Sequence, residues 1–480
     1  MRATRPKLRH FFVAVFLVAT ACSSATKITG VSGPVAPVAL TPRQTAFLDT
    51  LEHRTFNWFW ETGNPSNGLT PDRWPTKSFS SVAAVGFALT AYPIGVERGY
   101  VSRTAAADRT LTTLRFMYNA PQGPQSTAVT GYKGFFYHFL DMNTGYRFET
   151  VELSTIDTSI LMSGVLFSQS YFTGNDATES AIRAYADSLY LRVDWTFVRP
   201  RAPLVSMGWN PEHGYIDADW HGLNEAIILN ILALGSPTHP IDVSSWDAYR
   251  STYLWADFYG QQQLNFGPLF GHEYSEVWID FRGIQDSYMR GKGIDYIENS
   301  RRSTYSQRAY ATANPNDWRD YGSNIWGLTA GDGPQDTLLF VRGKSRRFQT
   351  YTAHGAAAGE IHDDGTIGPT AAGGAVAFAP EIAVPALIAM REKYGDNLFS
   401  TYGFFDSFNP TFDVNVKPQG GKVVPGMGWF DTDYLGIDQG PIIAMIENYR
   451  SDLIWKTMRK NPYIVNGLKK AGFAGGWLGN

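Results

Sequence analysis

Four segments of the chain combine acidic, histidine and tryptophan residues densely enough to suggest chemistry. Residues 209–225 hold two tryptophans, two glutamates, two aspartates and two histidines. The other three segments are residues 132–157, 362–366 and 429–439. The acids of these three segments are Asp141, Glu149, Glu152, Asp157, Asp363, Asp364, Asp431, Asp433 and Asp438.

Carboxylates beside aromatic rings are the groups that chemistry on neutral carbohydrates needs. The rings offer flat apolar faces to the C–H face of a sugar, and carboxylates accept hydrogen bonds from its hydroxyl groups. A pair of carboxyl groups can protonate a glycosidic oxygen and activate water or attack carbon. Each acid taken alone is better explained as a loop cap or a solvated surface residue. Only the clusters together indicate a saccharide site.

Metal and phosphate chemistry are disfavoured by the spacing of the remaining motifs. The pairs at 217/219 and 431/433 have a calcium-like Asp-x-Asp pattern, but neither continues as an EF-hand loop. The run HEYSE (272–276) departs from a zincin motif, because Glu276 stands where the second histidine is needed. The runs GKG (291–293) and GKS (343–345) lack the upstream glycine of a phosphate loop. We therefore expect no catalytic metal and no cofactor.

The composition is that of an ordinary globular protein. The 480 residues are 44% hydrophobic, 18% charged and 14% aromatic, and the formal net charge is −3. This balance gives no electrostatic reason to expect a nucleic-acid partner. The single cysteine excludes an intrachain disulfide and a multi-cysteine metal site. We expect a monomer whose partner is an oligo- or polysaccharide.

The first 40 residues are predicted to be a targeting segment and a tether, and not part of the folded domain. A basic start is followed by a short apolar run and by small residues before Cys22, so residues 1–21 resemble a lipoprotein-type signal peptide. Cys22 is then the lipid attachment site, residues 22–40 are a tether, and the lipid is the only membrane contact. Ala19 stands where leucine is usual, so a plain signal peptide with an incidental cysteine stays open. Either reading predicts export, and the first predicts a cell-envelope lipoprotein, periplasmic or in the outer membrane.

The body, residues 41–475, is predicted to be mostly helical. Thr41, Pro42 and Gln44 form a capping-box pattern before an amphipathic helix. Further helices are expected over residues 78–96, 104–118, 154–171, 177–195, 224–234, 242–259, 283–305, 380–394 and 439–458. Helices that are apolar all round alternate with helices that have one polar face, as in two concentric rings. This favours a single all-α domain, an (α/α)6 toroid, over two or three packed bundles.

Several long motifs, in one order, resemble the bacterial glycoamylase-like family. They are GFFYHFLD (134–141), ELSTIDT (152–158), DFRGIQD (280–286), ENSRR (298–302), WGLTAGDGP (326–334), DDGTIGPT (363–370), LGIDQGP (435–441) and ENYR (447–450). The resemblance covers residues 45–475 and implies an (α/α)6 toroid with glycoside hydrolase activity of the kind found in β-1,2-glucanases. The implied substrate is β-1,2-glucan or its sophorooligosaccharides. Gly331 and His354 depart from the residues common at those positions in the family.

In such a toroid the pocket is lined by the loops that lead into the inner helices. Glu225 or Glu152 is then the candidate general acid, and Asp438 or Asp157 the candidate that assists water. A helix N-terminus lowers the pKa of a nearby acid, which favours Asp438 as a base and weakens Glu225 as an acid. Asp438 as a mere helix cap stays an alternative.

The remaining candidates are predicted to bind substrate. Trp209, Trp220, Trp326 and Trp429 are the expected sugar platforms, with packing inside the loops as the alternative. Hydrogen bonds to sugar hydroxyls are expected from Asp141, Glu212, Arg282, Asp332 and Asp364. Two other functions stay open, a non-catalytic glycan-binding surface lipoprotein and a transglycosylase acting on the same glucan.

Overall fold

The first helix shows how local sequence signals set the helix boundaries. The Thr41 side chain accepts from the backbone N–H of Gln44, and the Gln44 side chain accepts from the N–H of Thr41, with Pro42 at the first helical position. This confirms the predicted capping box. The helix then buries one face, which includes Leu48 and Phe59.

The computed structural model describes residues 38–479. Their helices are α1 (Pro42–Thr62), α2 (Val82–Glu97), α3 (Arg103–Asn119), α4 (Thr155–Tyr171), α5 (Ala177–Leu191), α6 (Ile227–Gly235), α7 (Val243–Arg250), α8 (Tyr274–Trp278), α9 (Ser287–Lys292), α10 (Tyr296–Ala313), α11 (Pro369–Gly374), α12 (Pro380–Tyr394), α13 (Gly436–Ser451), α14 (Leu453–Met458) and α15 (Pro462–Lys470). Together with three short 3-10 helices, they make up about 44% of the described residues. Among these described residues, no helix has the length and apolar character needed to cross a bilayer.

Six helices form the interior, and the others cover them. The interior helices are α2, α4, α6, α8, α11 and α13, and nearly all of their residues are buried. Helix α2 packs on α4 and α13, α4 on α6, α6 on α8, and α13 on α8 and α11. Helices α1, α3 and α5 bury one face against this group, as the alternation of apolar and amphipathic patterns predicts.

Short strands correct the expectation of an all-α fold. They are β1 (Arg73–Trp74), β2 (Ser80–Ser81), β3 (Gly131–Tyr132), β4 (Phe135–Tyr137), β5 (Phe139–Leu140), β6 (Leu153–Ser154), β7 (Val205–Ser206), β8 (Gly208–Asn210), β9 (Gly214–Tyr215), β10 (Asp219–Trp220), β11 (Trp255–Phe258), β12 (Gln261–Leu264), β13 (Ala330–Gly331), β14 (Thr337–Val341), β15 (Lys344–Phe348), β16 (Thr352–Ala353), β17 (Gly355–Ala357), β18 (Glu360–His362), β19 (Phe399–Ser400), β20 (Gly403–Phe404), β21 (Phe408–Asn409), β22 (Lys422–Val424), β23 (Gly428–Phe430) and β24 (Tyr434–Leu435). The largest sheet has the order β3-β4-β6-β8-β9. Strands β2, β6 and β24 run directly into the interior helices α2, α4 and α13.

Four predicted helices differ from the structure in their bounds or their continuity. The span 439–458 is two helices, α13 (Gly436–Ser451) and α14 (Leu453–Met458), separated by Asp452 in the left-handed region. The span 242–259 is helical only to Arg250, and Trp255–Phe258 then pairs with Gln261–Leu264 as a hairpin. The span 283–305 is two helices, separated by Gly293 in the left-handed region. The helix predicted from residue 224 begins at Ile227 instead. Hydrophobic periodicity locates a helix but not its ends, which depend on turns and caps.

The predictions for the N-terminus lie outside the described residues. These are the signal peptide at residues 1–21, lipidation at Cys22 and most of the tether at residues 22–40. They stay predictions, as do export, the envelope location and the domain boundaries at residues 41 and 475.

Helices α2 and α4 approach closely at a pair of glycines. A Cβ atom on Gly164 would lie 2.1 Å from the Gly86 carbonyl oxygen, and a Cβ atom on Gly86 would lie 2.5 Å from the Ile160 carbonyl oxygen. Both obstacles are backbone atoms, which a rotamer change cannot move. The contact fixes how near the entrances of these two interior helices lie.

Gly164→Ala should therefore destabilise the fold. Overpacking against backbone typically costs about 1–3 kcal/mol, and we expect a loss in that range from the free energy of unfolding in urea. Gly291→Ala is the matched control, because a Cβ atom there meets nothing within 4 Å. Equal stabilities of the two variants would contradict the close contact.

Candidate active site

The predicted acids lie where the chain enters the interior helices. Asp157 is in the first turn of α4, Asp438 is in the first turn of α13, and Glu225 lies two residues before α6. Glu273 immediately precedes α8. The fold therefore gathers acids from distant parts of the sequence at the N-terminal ends of four interior helices.

His138 joins two of these acids at the entrance of α4. Its Nδ1 lies 2.8 Å from Glu152 Oε1, and its Nε2 lies 3.5 Å from Asp157 Oδ2. Burial acts to lower the pKa of His138, but the charges of Asp157 and Glu152 outweigh it and raise the pKa to about 9. Burial acts to raise the pKa of Glu152, and the bond to His138 outweighs that and lowers it. At neutral pH His138 is a cation and Glu152 is a carboxylate.

Glu225 is a half-buried acid that keeps its proton near neutral pH. Ser275 Oγ, at the start of α8, donates to the Glu225 carbonyl at 2.8 Å and accepts from the N–H of Ile228 at 3.0 Å, which fixes the chain at this point. Burial raises the pKa of Glu225 to about 7, and the charge of Asp157 adds to that effect. Part of the side chain stays accessible. A protonated carboxyl group is thus available on the surface of the site.

Asp438 belongs to a second group of acids. The N–H of Asp332 donates to Asp406 Oδ2 at 2.6 Å, and carboxylate oxygens of Asp332, Asp406 and Asp431 lie within 4.8 Å of one another. Asp406, Asp431 and Asp438 are at most 3% exposed. Each has one oxygen without a hydrogen-bond partner among residues 38–479.

Protons must be shared within this second group. Burial raises the pKa of Asp438 to about 7, although a hydrogen bond with Asp406 opposes the shift. Burial also raises the pKa values of Asp406 and Asp431 well above their usual range, and neighbouring acids add to this. Carboxyl groups this close cannot all be ionised in a dry site. At neutral pH the group therefore holds both carboxylates and protonated acids.

Arg73 supplies a positive charge beside these acids. Its Nη1 lies 2.7 Å from Asp332 Oδ2 and 3.8 Å from Asp433 Oδ2, and its Nε lies 3.3 Å from Asp72 Oδ2. The pairing of β1 with β24, in which Arg73 lies opposite Leu435, holds the guanidinium at the entrance of α13. Arg73 thus compensates part of the negative charge and leaves the rest to shared protons.

Asp72 and Tyr274 lie between the two groups of acids. Burial raises the pKa of Asp72, whose carboxyl group interacts with His138 on one side and Asp332 on the other. Burial raises the pKa of Tyr274 well above 10, and the charges of Asp438 and Glu225 both contribute. Asp72 and Tyr274 are therefore each close to members of both groups of acids.

The carboxylate oxygens of Asp332, Asp406 and Asp431 also form a donor set of the type that hard cations prefer. Arg73 pairs with Asp332, and burial raises the pKa values of Asp406 and Asp431.

Three of the predicted substrate-binding acids are held by protein groups. Asp141 Oδ1 accepts from the N–H groups of Asn143 and Thr144 and closes a turn. Glu212 forms a two-bond ion pair with Arg147, at 2.7 and 3.0 Å.

Asp364, the third of these acids, is 3% exposed. It accepts from the N–H groups of Gln349 and Thr366 and lies 3.1 Å from His354 Nε2. Asp332 is the predicted substrate-binding acid that the structure brings into the acid cluster.

The four predicted tryptophan platforms are mostly buried. Trp326 is 1% exposed and Trp429 is 0% exposed, with its Nε1 bonded to the Gly420 carbonyl, so neither ring offers a face to a sugar. Trp220 is 8% exposed, and its Nε1 donates to Thr155 Oγ1, at the start of α4, at 2.9 Å. Trp209 is half-buried between Tyr132 and Phe197. A composition rich in tryptophan does not distinguish the rings that pack inside the loops from the rings that could contact a sugar.

Arg282 lies away from the acids, contrary to its predicted role. It binds Asp280 at 2.8 Å and Asp452 at 3.1 Å, and it stacks on Trp455. Asp452 caps the C-terminal end of α13, whereas Asp438 is in its first turn. At 1.5 Å per residue the two ends are about 20 Å apart. Arg282 therefore stabilises the C-terminal end of α13, opposite the end that carries Asp438.

Several residues of the site were missed by the sequence analysis. Asp406 is a single acid in the aromatic run FFDSF (404–408). Its position in a predicted loop is the only sequence feature that could have marked it as a site residue. Arg73 and Trp74 lie in a short segment before the second helix, and Trp74 is 39% exposed at the rim. Tyr351 is 53% exposed as a residue, but its hydroxyl end is surrounded by protein, so that burial and the charges of Asp438 and Asp406 raise the pKa of the hydroxyl group.

The expected effect of the helix N-termini on the pKa values is also wrong. A helix dipole contributes roughly 0.3–1 kcal/mol to an acid near its N-terminus, which is less than one pKa unit. Burial raises the pKa of Asp438 from 3.8 to about 7 and that of Glu225 from 4.5 to about 7. Desolvation therefore outweighs the dipole at both positions.

Arg73→Gln should destabilise the protein in a pH-dependent way. Removing the cation raises the folded-state pKa of Asp72 further, so stability is lost as pH rises above its unfolded value near 4. We expect the free energy of unfolding to fall by about 2 kcal/mol at pH 7.5 and by much less at pH 5.0, where protons replace the cation. Urea unfolding at both pH values measures this.

Arg347→Gln is the control for this prediction, because Arg347 is exposed on strand β15. Its loss should be small at both pH values. An equal loss at pH 5.0 and 7.5 for Arg73→Gln would contradict the charge balance described above.

Comparisons with known proteins agree on one family. Residues 217–462 match the Glycoamylase family, described as a candidate glucoamylase. A candidate glucoamylase from Bacteroides uniformis has a similar structure, with a TM-score of 0.77 and 31% identity over 92% of this chain and 99% of that one. The endo-β-1,2-glucanase from Chitinophaga pinensis, in complex with sophorotriose and glucose, gives a TM-score of 0.75 and 28% identity over 91% of this chain and 99% of that one.

A longer relative is also similar. The exo β-1,2-glucooligosaccharide sophorohydrolase (non-reducing end) of Parabacteroides distasonis is 26% identical over an alignment of 460 residues, and the match covers 88% of this chain. This chain spans only 57% of that relative's length. From the family match and the similarity to the Bacteroides uniformis protein, we conclude that the chain belongs to the Glycoamylase family.

Proposed function

We propose that this protein is a glycoside hydrolase that cleaves β-1,2-glucan or its sophorooligosaccharides by general acid–base catalysis. The observation that carries the proposal is a partly accessible Glu225 at the entrance of α6 and an Asp438 at the entrance of α13, both close enough to Tyr274 to act on its hydroxyl group. The names of the Chitinophaga and Parabacteroides relatives, both β-1,2-glucan hydrolases, support the linkage.

We further propose that the architecture is an (α/α)6 toroid. Six interior helices that pack on their neighbours, with amphipathic helices outside them, support this arrangement. The similarity to the Bacteroides uniformis structure, at a TM-score of 0.77, is consistent with one common fold for the family. In a toroid the loops before the inner helices surround one pocket, where the acids described above would meet the substrate.

Glu225 suits the role of general acid better than Glu152 does. An acid with a pKa near the working pH both holds its proton and releases it readily, and the pKa of Glu225 is about 7. Glu152 has a lowered pKa because of its bond to His138, so it has no proton to give at neutral pH. Glu225 would protonate the glycosidic oxygen as the bond to the anomeric carbon breaks. Glu152 is left to accept hydrogen bonds from sugar hydroxyl groups.

The base is supplied by the pair of Asp438 and Asp406. The two carboxyl groups are hydrogen-bonded to each other, and burial raises both pKa values. When the pair holds one proton, its remaining negative charge can take a proton from the attacking water. Asp157, at 3.5 Å from the His138 cation, is the less favoured base because it is already paired.

Glu225→Gln should remove most of the activity. Glutamine keeps the shape of the side chain but carries no proton that it can transfer, and general acid catalysis typically contributes about 10²–10⁴-fold. We expect kcat on linear β-1,2-glucan to fall by at least ~100-fold, measured as reducing ends and as products separated by chain length.

Asp217→Asn is the matched control, because Asp217 is an exposed acid in the same loop. It should leave kcat unchanged. Near-normal turnover by a folded Glu225→Gln variant would reject Glu225 as the acid. Absence of cleavage of this glucan and of β-1,3-, β-1,4- and α-glucans by the unmodified protein would favour a glycan-binding protein instead.

A further inference from the structure

A row of half-buried rings runs away from the acids at the entrance of α4. The ring centroids of His138 and Phe139 are 3.9 Å apart, those of Phe139 and Phe79 are 4.1 Å apart, and those of Phe79 and Phe148 are 4.6 Å apart. All four side chains are partly accessible. His138 binds Glu152, so the row begins at the candidate active site.

The outer end of the row lines a cavity of about 330 Å³. Phe79 and Phe148 form its apolar part, and Lys77, Asp141 and Asn143 bring polar groups to it. Hydrogen bonds from the N–H groups of the turn lower the pKa of Asp141, so its carboxylate stays charged and fixed in place. Flat rings beside fixed hydrogen-bonding groups are the combination that recognises a neutral sugar.

Short strands hold the row in a fixed relation to the acids. Strand β2 pairs with β5, which places Ser81 opposite Phe139, and Phe79 directly precedes β2. The segment between Arg73 and Phe79 is anchored where the N–H of Thr76 donates to Asp433 Oδ1 at 2.9 Å. One continuous segment therefore connects the Asp438 group with the cavity.

We propose that the row Phe139–Phe79–Phe148 and its cavity form a distal binding site for the glucan chain, at the end of the row away from the acids. This rests on the proposed function and adds to it a preference for longer chains. The sugar C–H faces would pack on the rings, and Lys77, Asp141 and Asn143 would bind the hydroxyl groups. The lysine and the aspartate balance in charge, which suits a neutral saccharide rather than an anionic one.

The test compares purified β-1,2-glucan oligomers of three to ten units as substrates for the unmodified protein and for Phe148→Ala. One aromatic contact of this kind corresponds to about tenfold in binding. We expect Phe148→Ala to raise KM about tenfold for the longest oligomers, with kcat unchanged. The trimer, which has the fewest units left over for the cavity once it is bound at the acids, should keep its KM within about twofold.

Two further variants separate binding from folding. Lys77→Ala removes an exposed side chain of the cavity without removing packing, and it should raise KM for the long oligomers in the same length-dependent manner but to a smaller extent. Phe340→Ala removes a ring that is 79% exposed on strand β14, outside the row, and it should change no KM value.

The outcomes separate this inference from the proposed function. Cleavage of every oligomer by the unmodified protein, with KM values that Phe148→Ala and Lys77→Ala leave unchanged or change equally at all lengths, would overturn the distal site alone. Failure of the unmodified protein to cleave any oligomer would overturn the proposed function and the distal site together. A loss that grows with chain length supports both.

Discussion

The site depends on holding carboxyl groups away from water. Asp406, Asp431 and Asp438 are at most 3% exposed, and their charges are compensated only in part by Arg73. An ionised carboxylate without a partner is costly in such surroundings, so protonation follows. The same desolvation keeps a proton on Glu225. Acid and base behaviour near neutral pH thus arises from burial.

Close helix packing is what allows this burial. The interior helices α2 and α4 meet through Gly86 and Gly164, and the N-terminal end of α4 carries Asp157. Gly374 serves the same purpose beside α8, since a Cβ atom there would lie 2.3 Å from Glu273 Oε2. A larger residue at these positions would push apart the helices that hold the acids. The chemistry of the site therefore depends on the packing of small residues between these helices.

Sequence patterns predicted the helical framework and the positions of the leading acids. The capping box at Thr41 and the all-round apolar pattern of α2 and α4 follow from rules of local structure. The acid Asp406 was missed because a lone aspartate among aromatic residues carries no periodic signal. The tryptophans Trp326 and Trp429 were misjudged because burial of a loop ring depends on contacts distant in sequence. Raised pKa values likewise depend on the summed surroundings, which no local motif encodes.

The pH dependence of kcat/KM on linear β-1,2-glucan, from pH 5 to pH 9, tests most directly whether burial keeps Glu225 protonated. With a pKa of about 7 for Glu225, kcat/KM should fall on the alkaline side of neutrality, approaching about tenfold per pH unit. Denaturation must be excluded by checking that activity returns when the sample is brought back to pH 7. A kcat/KM value that stays constant up to pH 9 would contradict a protonated Glu225 as the acid.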